Sequence, residues 1–270
     1  MAHSSIEHLL SLMAALRDAN SGCPWDVEQT FESLVPYTLE EAYEVADCIE
    51  RADYDSLPGE LGDLLLQVVF YAQIAEEDGL FNFEHIAASI CEKLITRHPH
   101  VFGSEERPTA TQQSEIWESL KAKERQADSN ADSSALAGVA ANLPALVRAH
   151  KVQKRAARVG FDWRSEQAVR AKIDEELGEL ISAYKSGATA DIEEEYGDLL
   201  FSCVNWGRYV GLEPETALRQ ATRKFENRFR ALEAQLASEG LNIEQQTPES
   251  LDRRWESVKL AQKKRAPKHP

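Results

Sequence analysis

The residues best placed to do chemistry are carboxylates in a fixed order: Glu175, Glu176 and Glu179, then, after a spacer, Glu195 and Asp198. Residues three or four apart share one face of an α-helix, so Glu176 pairs with Glu179 and Glu195 with Asp198. Two antiparallel helices joined near Gly187 would turn the pairs toward each other and gather four carboxylates. Like charges repel at such range and burial disfavours the ionised form, so the cluster requires a cation. With no histidine or cysteine in the pattern, the all-oxygen donor set selects a hard divalent ion, Mg²⁺ first and Mn²⁺ as a substitute. For any single Glu-x-x-Glu, the solvated face of an amphipathic helix is the default reading. The setting argues against it here, because Glu195-Tyr196-Gly197-Asp198-Leu199-Leu200-Phe201 places the acids beside a core-like run. Gly197 also costs the helix on the order of 1 kcal/mol relative to Ala, a cost that close packing or ligand access would explain.

The pattern occurs twice. Glu40, Glu41 and Glu44 are followed by Glu60 and Asp63, and the step from Glu44 to Glu60 equals the step from Glu179 to Glu195. Lys93-x-x-x-Arg97 answers Lys224-x-x-x-Arg228, Trp117-x-x-x-Lys121 answers Trp255-x-x-x-Lys259, and Cys23-Pro24-Trp25-Asp26 resembles Gly160-Phe161-Asp162-Trp163. A duplicated module follows, with Glu41, Glu44, Glu60 and Asp63 as a second candidate site. Gly62 in the first copy matches Gly197 in the second. Seven residues after each aspartate the copies diverge: Asn205 stands where the first has Phe70, and Arg208 where it has Gln73.

The elements that must carry these residues are helices. Apolar residues recur at three and four, as in Leu61, Leu64, Leu65 and Val68, and no segment alternates for long like a strand. The periodicity predicts helices at about 5 to 18, 34 to 52, 56 to 78, 83 to 98, 112 to 126, 143 to 157, 166 to 186, 190 to 210, 214 to 238 and 249 to 264. The Ser-, Ala-, Asn- and Asp-rich stretch beginning at Gln126 reads as a linker. It divides the chain into an N-terminal module at 1–126, a linker at 127–142 and a C-terminal module at 143–265. The fold class is all-α, with four-helix-bundle-type cores completed by dimerisation. The end, KKRAPKHP, reads as a frayed basic tail.

Composition bounds the rest. A length of 270 residues with 43% hydrophobic residues fills real cores. A net charge of −16, from 46 acidic against 30 basic residues, repels phosphate backbones and argues against general nucleic-acid binding. No apolar run approaches the length of a membrane span, and the first residues carry acids and spaced leucines rather than a signal-peptide pattern, so the expectation is a cytoplasmic protein. The four cysteines, Cys23, Cys48, Cys91 and Cys203, form no C-x-x-C pair and read as free thiols. His98-Pro99-His100 lacks a third ligand and reads as a helix exit. A di-iron bundle needs Glu-x-x-His, which neither module has.

The order Glu-Glu-x-x-Glu, spacer, Glu-x-x-Asp, together with Cys-Pro-Trp-Asp from Cys23, Arg-His-Pro-His-Val-Phe-Gly from Arg97 and the doubled Lys-x-x-x-Arg and Trp-x-x-x-Lys elements, resembles the all-α NTP pyrophosphatases. The tandem arrangement across nearly the whole chain looks like bacterial MazG. The resemblance implies cleavage of nucleoside triphosphates, ATP among them, to a monophosphate and pyrophosphate, with metal ligands at Glu176, Glu179, Glu195 and Asp198. It also implies that the second module does the work, leaving Glu41, Glu44, Glu60 and Asp63 auxiliary, although the first module keeps all four acids. Asn205 and Arg208 suit a nucleotide pocket better than Phe70 and Gln73 do. Lys224 and Arg228, one helical turn apart, would neutralise phosphate charge; Trp255 would offer a flat face to a base and Lys259 a further cation. Taken without the repeat, Lys224 and Arg228 read as an exposed face and Trp255 as a core anchor. Glu175, turned about 100° from Glu176, would be a general base or a partner of the ligands. The competing class is an idle helical scaffold, which gives no reason to keep like charges clustered in both copies.

Overall fold

The computed structural model describes residues 5–104, 107–109, 112–113, 116–117, 119–120, 132 and 134–265, and among these it contains helices and no strand. The chain forms two compact units, Met1–Lys123 and Glu124–Pro270. None of the described helices is long and apolar enough to cross a membrane.

The first unit contains α1 (Ser5–Leu16), α2 (Pro24–Glu28), α3 (Phe31–Arg51), α4 (Leu57–Glu77), α5 (Phe83–Arg97) and α6 (Pro99–Phe102). Helix α3 starts at Phe31, three residues before the sequence-based boundary. Thr30 accepts from the Ser33 amide while the Ser33 hydroxyl accepts from the Thr30 amide, a reciprocal cap that fixes the start. Pro36 therefore falls inside the helix rather than at its edge. The helix ends at Ala52, which sits in the left-handed region at φ 55°, and Pro58 opens α4 within its first turn. Met13, Leu34, Val69, Phe70 and Ile74 form the buried core, so α1 and α3 both pack on α4.

The second unit contains α7 (Ala145–Arg158), α8 (Glu166–Ser186), α9 (Thr189–Tyr209), α10 (Pro214–Ser238), a short 3₁₀ turn (Ile243–Gln245) and α11 (Pro248–Arg265). Ser165 caps α8 by accepting from the Ala168 amide. Gly187, at φ 78°, ends α8 in the left-handed conformation that glycine adopts without strain. Only Gly187 and Ala188 separate α8 from α9, so the two helices fold back as a tight antiparallel hairpin. Helix α7 is tied to α9 by the buried Gln153, whose amide donates to the Phe201 carbonyl at 2.8 Å. Leu232, Leu236 and Val258, with Leu251 and Trp255 against them, join α10 to α11.

Two short helices, α2 and α6, occupy stretches with no helical periodicity. Of the helix expected at 112 to 126, residues 112–113, 116–117 and 119–120 are helical and the rest lie outside the described residues. The same holds for 127–131 and 133 of the expected linker and for 266–270 of the expected tail, whose first residues, Lys263 to Arg265, instead extend α11.

Candidate metal and nucleotide site

Helix periodicity and the hairpin together build the acidic cluster. Glu176 and Glu179 lie one turn apart on α8 and Glu195 on α9, and one carboxylate oxygen from each meets the others within 4.8 Å. Glu176 is 4% exposed, whereas Glu195 is half-buried and Glu179 exposed. Burial pushes the Glu179 carboxyl above the usual glutamate range, and the charge on Glu176 adds to the rise. Glu195 is raised by burial too, then by Glu179, Glu176 and Asp198. Asp198 thus acts on the cluster through Glu195 while its own side chain stays exposed. This is a site short of positive charge.

One cation is present already. Lys172, one turn before Glu176, lies 2.5 Å from Glu176 Oε1 and donates to Glu175 Oε1 at 2.8 Å. These bonds hold its ammonium well above the usual lysine range, the Glu175 bond contributing most. The sequence reading passed over Lys172. The only signal was its spacing of four from Glu176, the commonest spacing of surface ion pairs on helices. Glu175 is therefore engaged by the lysine that also holds Glu176.

The first unit repeats the geometry. Glu41 and Glu44 on α3 and Glu60 on α4 bring their oxygens within 4.8 Å of one another. Burial raises Glu41, with Asp63 and then Glu44 adding to the effect. Behind this cluster the buried Cys48 thiol sits 4.0 Å from Glu60 Oε1. Tyr37 stands at the position matching Lys172, with its ring edge-on to Trp25 at 5.7 Å.

The remaining candidates fall into separate groups. Asn205 is buried, and its Oδ1 accepts from Arg208 Nε at 3.1 Å and Nη2 at 2.9 Å. Arg208 Nη2 also bonds Asp162, in the loop before α8. The pair is thus a fixed polar wall that pins that loop to α9. Trp255 packs against Phe225, 5.2 Å between ring centres, and joins the α10–α11 core. Arg228 donates to Gln262 at 3.2 Å, Lys259 pairs with Glu256 at 2.6 Å, and Lys224 is exposed. The structure therefore brings the acids together and groups Arg228, Trp255 and Lys259 with α10 and α11.

Close packing within the chain does not explain Gly62 or Gly197, since a Cβ added at either would meet nothing within 4 Å.

The family model described as the MazG nucleotide pyrophosphohydrolase domain matches residues 29–102 and again 164–232. The chain is 47% identical over 258 residues to the nucleoside triphosphate pyrophosphohydrolase of Escherichia coli K12, covering 95% of this chain and 97% of that protein. It is 45% identical over 253 residues to the nucleoside triphosphate pyrophosphohydrolase/pyrophosphatase MazG of Thermotoga maritima, covering 94% and 95%. A Bacillus subtilis protein is 38% identical over 255 residues, which are 94% of this chain and 51% of that protein.

Proposed function

The chain belongs to the MazG nucleotide pyrophosphohydrolase family, and from that premise we propose that it hydrolyses nucleoside triphosphates, ATP among them, to nucleoside monophosphate and pyrophosphate, using the second module. The observation that carries the reading is the cluster of three carboxylates within 4.8 Å around the buried Glu176. An acid kept there at the cost of repulsion and desolvation fits a divalent cation better than a solvated helix face. Glu176, Glu179, Glu195 and Asp198 would hold that ion, Mg²⁺ with Mn²⁺ as a substitute. When bound, the ion neutralises phosphoryl oxygens and acidifies a water.

The chain's own groups supply the remainder. Glu175, exposed and bonded to Lys172 through Oε1, would accept a proton from the attacking water. Lys224, Arg228 and Lys259 offset phosphate charge, and Trp255 supplies an apolar face for the base. Asn205 and Arg208, held to each other, would form a polar wall of the nucleotide pocket. Apolar side chains left exposed on the hairpin, Leu177, Ile181 and Leu200, favour burial against a second copy, so the active species is a homodimer or larger homo-oligomer. Four free thiols favour a reducing cytoplasm.

The test is product analysis with a panel of NTPs and dNTPs, with and without Mg²⁺. Metal-dependent release of equal amounts of monophosphate and pyrophosphate is expected; release of inorganic phosphate, or turnover indifferent to metal, would contradict the reading. Light scattering tests the assembly: a fully active monomer of 30.3 kDa would exclude it.

A further inference from the structure

The cluster in the second unit is partly neutralised by the chain itself. Lys172 contacts two carboxylates at once, Glu176 Oε1 at 2.5 Å and Glu175 Oε1 at 2.8 Å. The two acceptors differ: the Glu176 side chain is 5% exposed and that of Glu175 56%. The Lys172 side chain is itself one-third exposed, on a flexible four-carbon stem. We infer that Lys172 is an internal counter-ion that competes with the divalent cation for Glu176 and moves its hydrogen bonding onto Glu175 when the ion enters, so that the nucleotide-free chain holds the ion weakly. The inference rests on the reading that this cluster binds a divalent ion.

A buried carboxylate left without a partner is strongly unfavourable, so an ion-free cluster at Glu176, Glu179 and Glu195 needs Lys172 to stay folded as it is. An ammonium and a dication sharing that carboxylate at close range repel each other, and partial burial weakens the screening. The exposed Glu175 gives the ammonium somewhere to stay once it lets go, which makes the exchange local and reversible. At the matching position the first unit carries Tyr37, which has no ammonium to play this part.

The experiment is a Mn²⁺ titration of the nucleotide-free chain, followed by the electron paramagnetic resonance signal of the free ion, at a pH above neutrality. It is run in a background where Glu41, Glu44 and Glu60 are glutamine, so that only the second unit is read. Lys172→Met should bind Mn²⁺ about tenfold more tightly, the scale of removing one close cation at a partly solvated site. Lys172→Arg, which keeps the charge, should stay near the parent value. Should Lys172→Met fold poorly without metal, Glu175→Gln gives a second reading: with its alternative acceptor weakened, Lys172 stays on Glu176 and Mn²⁺ binding falls several-fold. Mn²⁺ affinity unchanged or lower in Lys172→Met, or unchanged in Glu175→Gln, overturns the inference. Tighter Mn²⁺ binding without pyrophosphate release from any triphosphate would leave the inference standing and remove the proposed function instead.

Discussion

The two modules hold the same acids in the same helical geometry and differ further along the second helix of each hairpin, from seven residues past the aspartate. In the first, the space over Phe70 is closed by Arg17 from the end of α1. Its guanidinium lies 5.4 Å from the Phe70 ring, pairs with Glu77 at 2.6 Å and donates to the Asp26 and Gln29 carbonyls. Trp25 covers the same ring edge-on at 6.4 Å. In the second module the arginine comes from α9 itself: Arg208 bonds Asn205, the counterpart of Phe70, and Asp162 in the preceding loop. Both modules thus pin the entering loop to the second helix of the hairpin with a guanidinium. One does so over an aromatic ring and the other through an amide, although both hairpins keep the same acids. That clamp, together with Lys172 in place of Tyr37, distinguishes the modules.

The largest expected break in the comparison is catalytic. Glu176→Gln or Asp198→Asn in the full chain should lower turnover by about a thousandfold or more, because transition-state charge stabilisation through the ion is lost. Helical circular dichroism should persist, since removing a clustered acid relieves repulsion. Glu41→Gln should leave most turnover intact. A steady-state assay of all three variants checks this, and equal loss from Glu41→Gln would erase the distinction.

Next come the two arginine clamps. The Arg17 side chain is 7% exposed, and Arg17→Ala takes the donors from two carbonyls and leaves the partly exposed Glu77 to its bond with Gln73, so urea unfolding should show a loss of about 2 kcal/mol. Arg208→Leu leaves the buried Asn205 oxygen without its donors, a loss of about 2 kcal/mol. Losses below about 0.5 kcal/mol would mean that neither clamp matters to the fold.

The smallest effect is on pH dependence. The raised carboxyls of Glu179 and Glu195 bind protons in the folded chain that the unfolded chain has already released. Stability of the metal-free protein should therefore fall as pH rises from the ordinary glutamate range through their folded values, and return on acidification. Saturating Mg²⁺ should flatten that slope. The double variant Glu179→Gln, Glu195→Gln should flatten it more than Glu41→Gln, which removes a raised acid of the first cluster. Urea midpoints measured across the range decide it, and a slope of opposite sign would mean that the acids are not crowded.

Much of this arrangement was legible in the sequence because it rests on strict periodicity. The pairs Glu176/Glu179 and Glu41/Glu44 are fixed by helix geometry, and Gly187 announced the tight hairpin through its left-handed turn. What escaped depends on contacts far apart in the chain or on elements too short to show a period. Helices α2 and α6 have five and four residues and bury no residue fully, so no apolar stripe marks them. The start of α3 was hidden because Ser33, not Glu or Gln, completes its cap. Arg17 meets Glu77 across sixty positions, and nothing local to either residue points to the other. Trp255 had two readings at the sequence level, and its place against Phe225 and the α10–α11 core shows how a base-stacking candidate and a packing anchor can share one signature.

The central claim, that the second module is the catalyst, is tested most directly by dividing the chain. Pyrophosphate release per active chain, in saturating Mg²⁺, would be compared for a fragment beginning near Leu143 and one ending near Arg125, after light scattering has shown that each assembles. The fragment carrying Lys172, Glu176, Glu195 and Asn205 should keep most of the full-length turnover, and the one carrying Tyr37 and Phe70 should keep little. Comparable turnover from both halves would contradict the account and show that the chain carries two working sites.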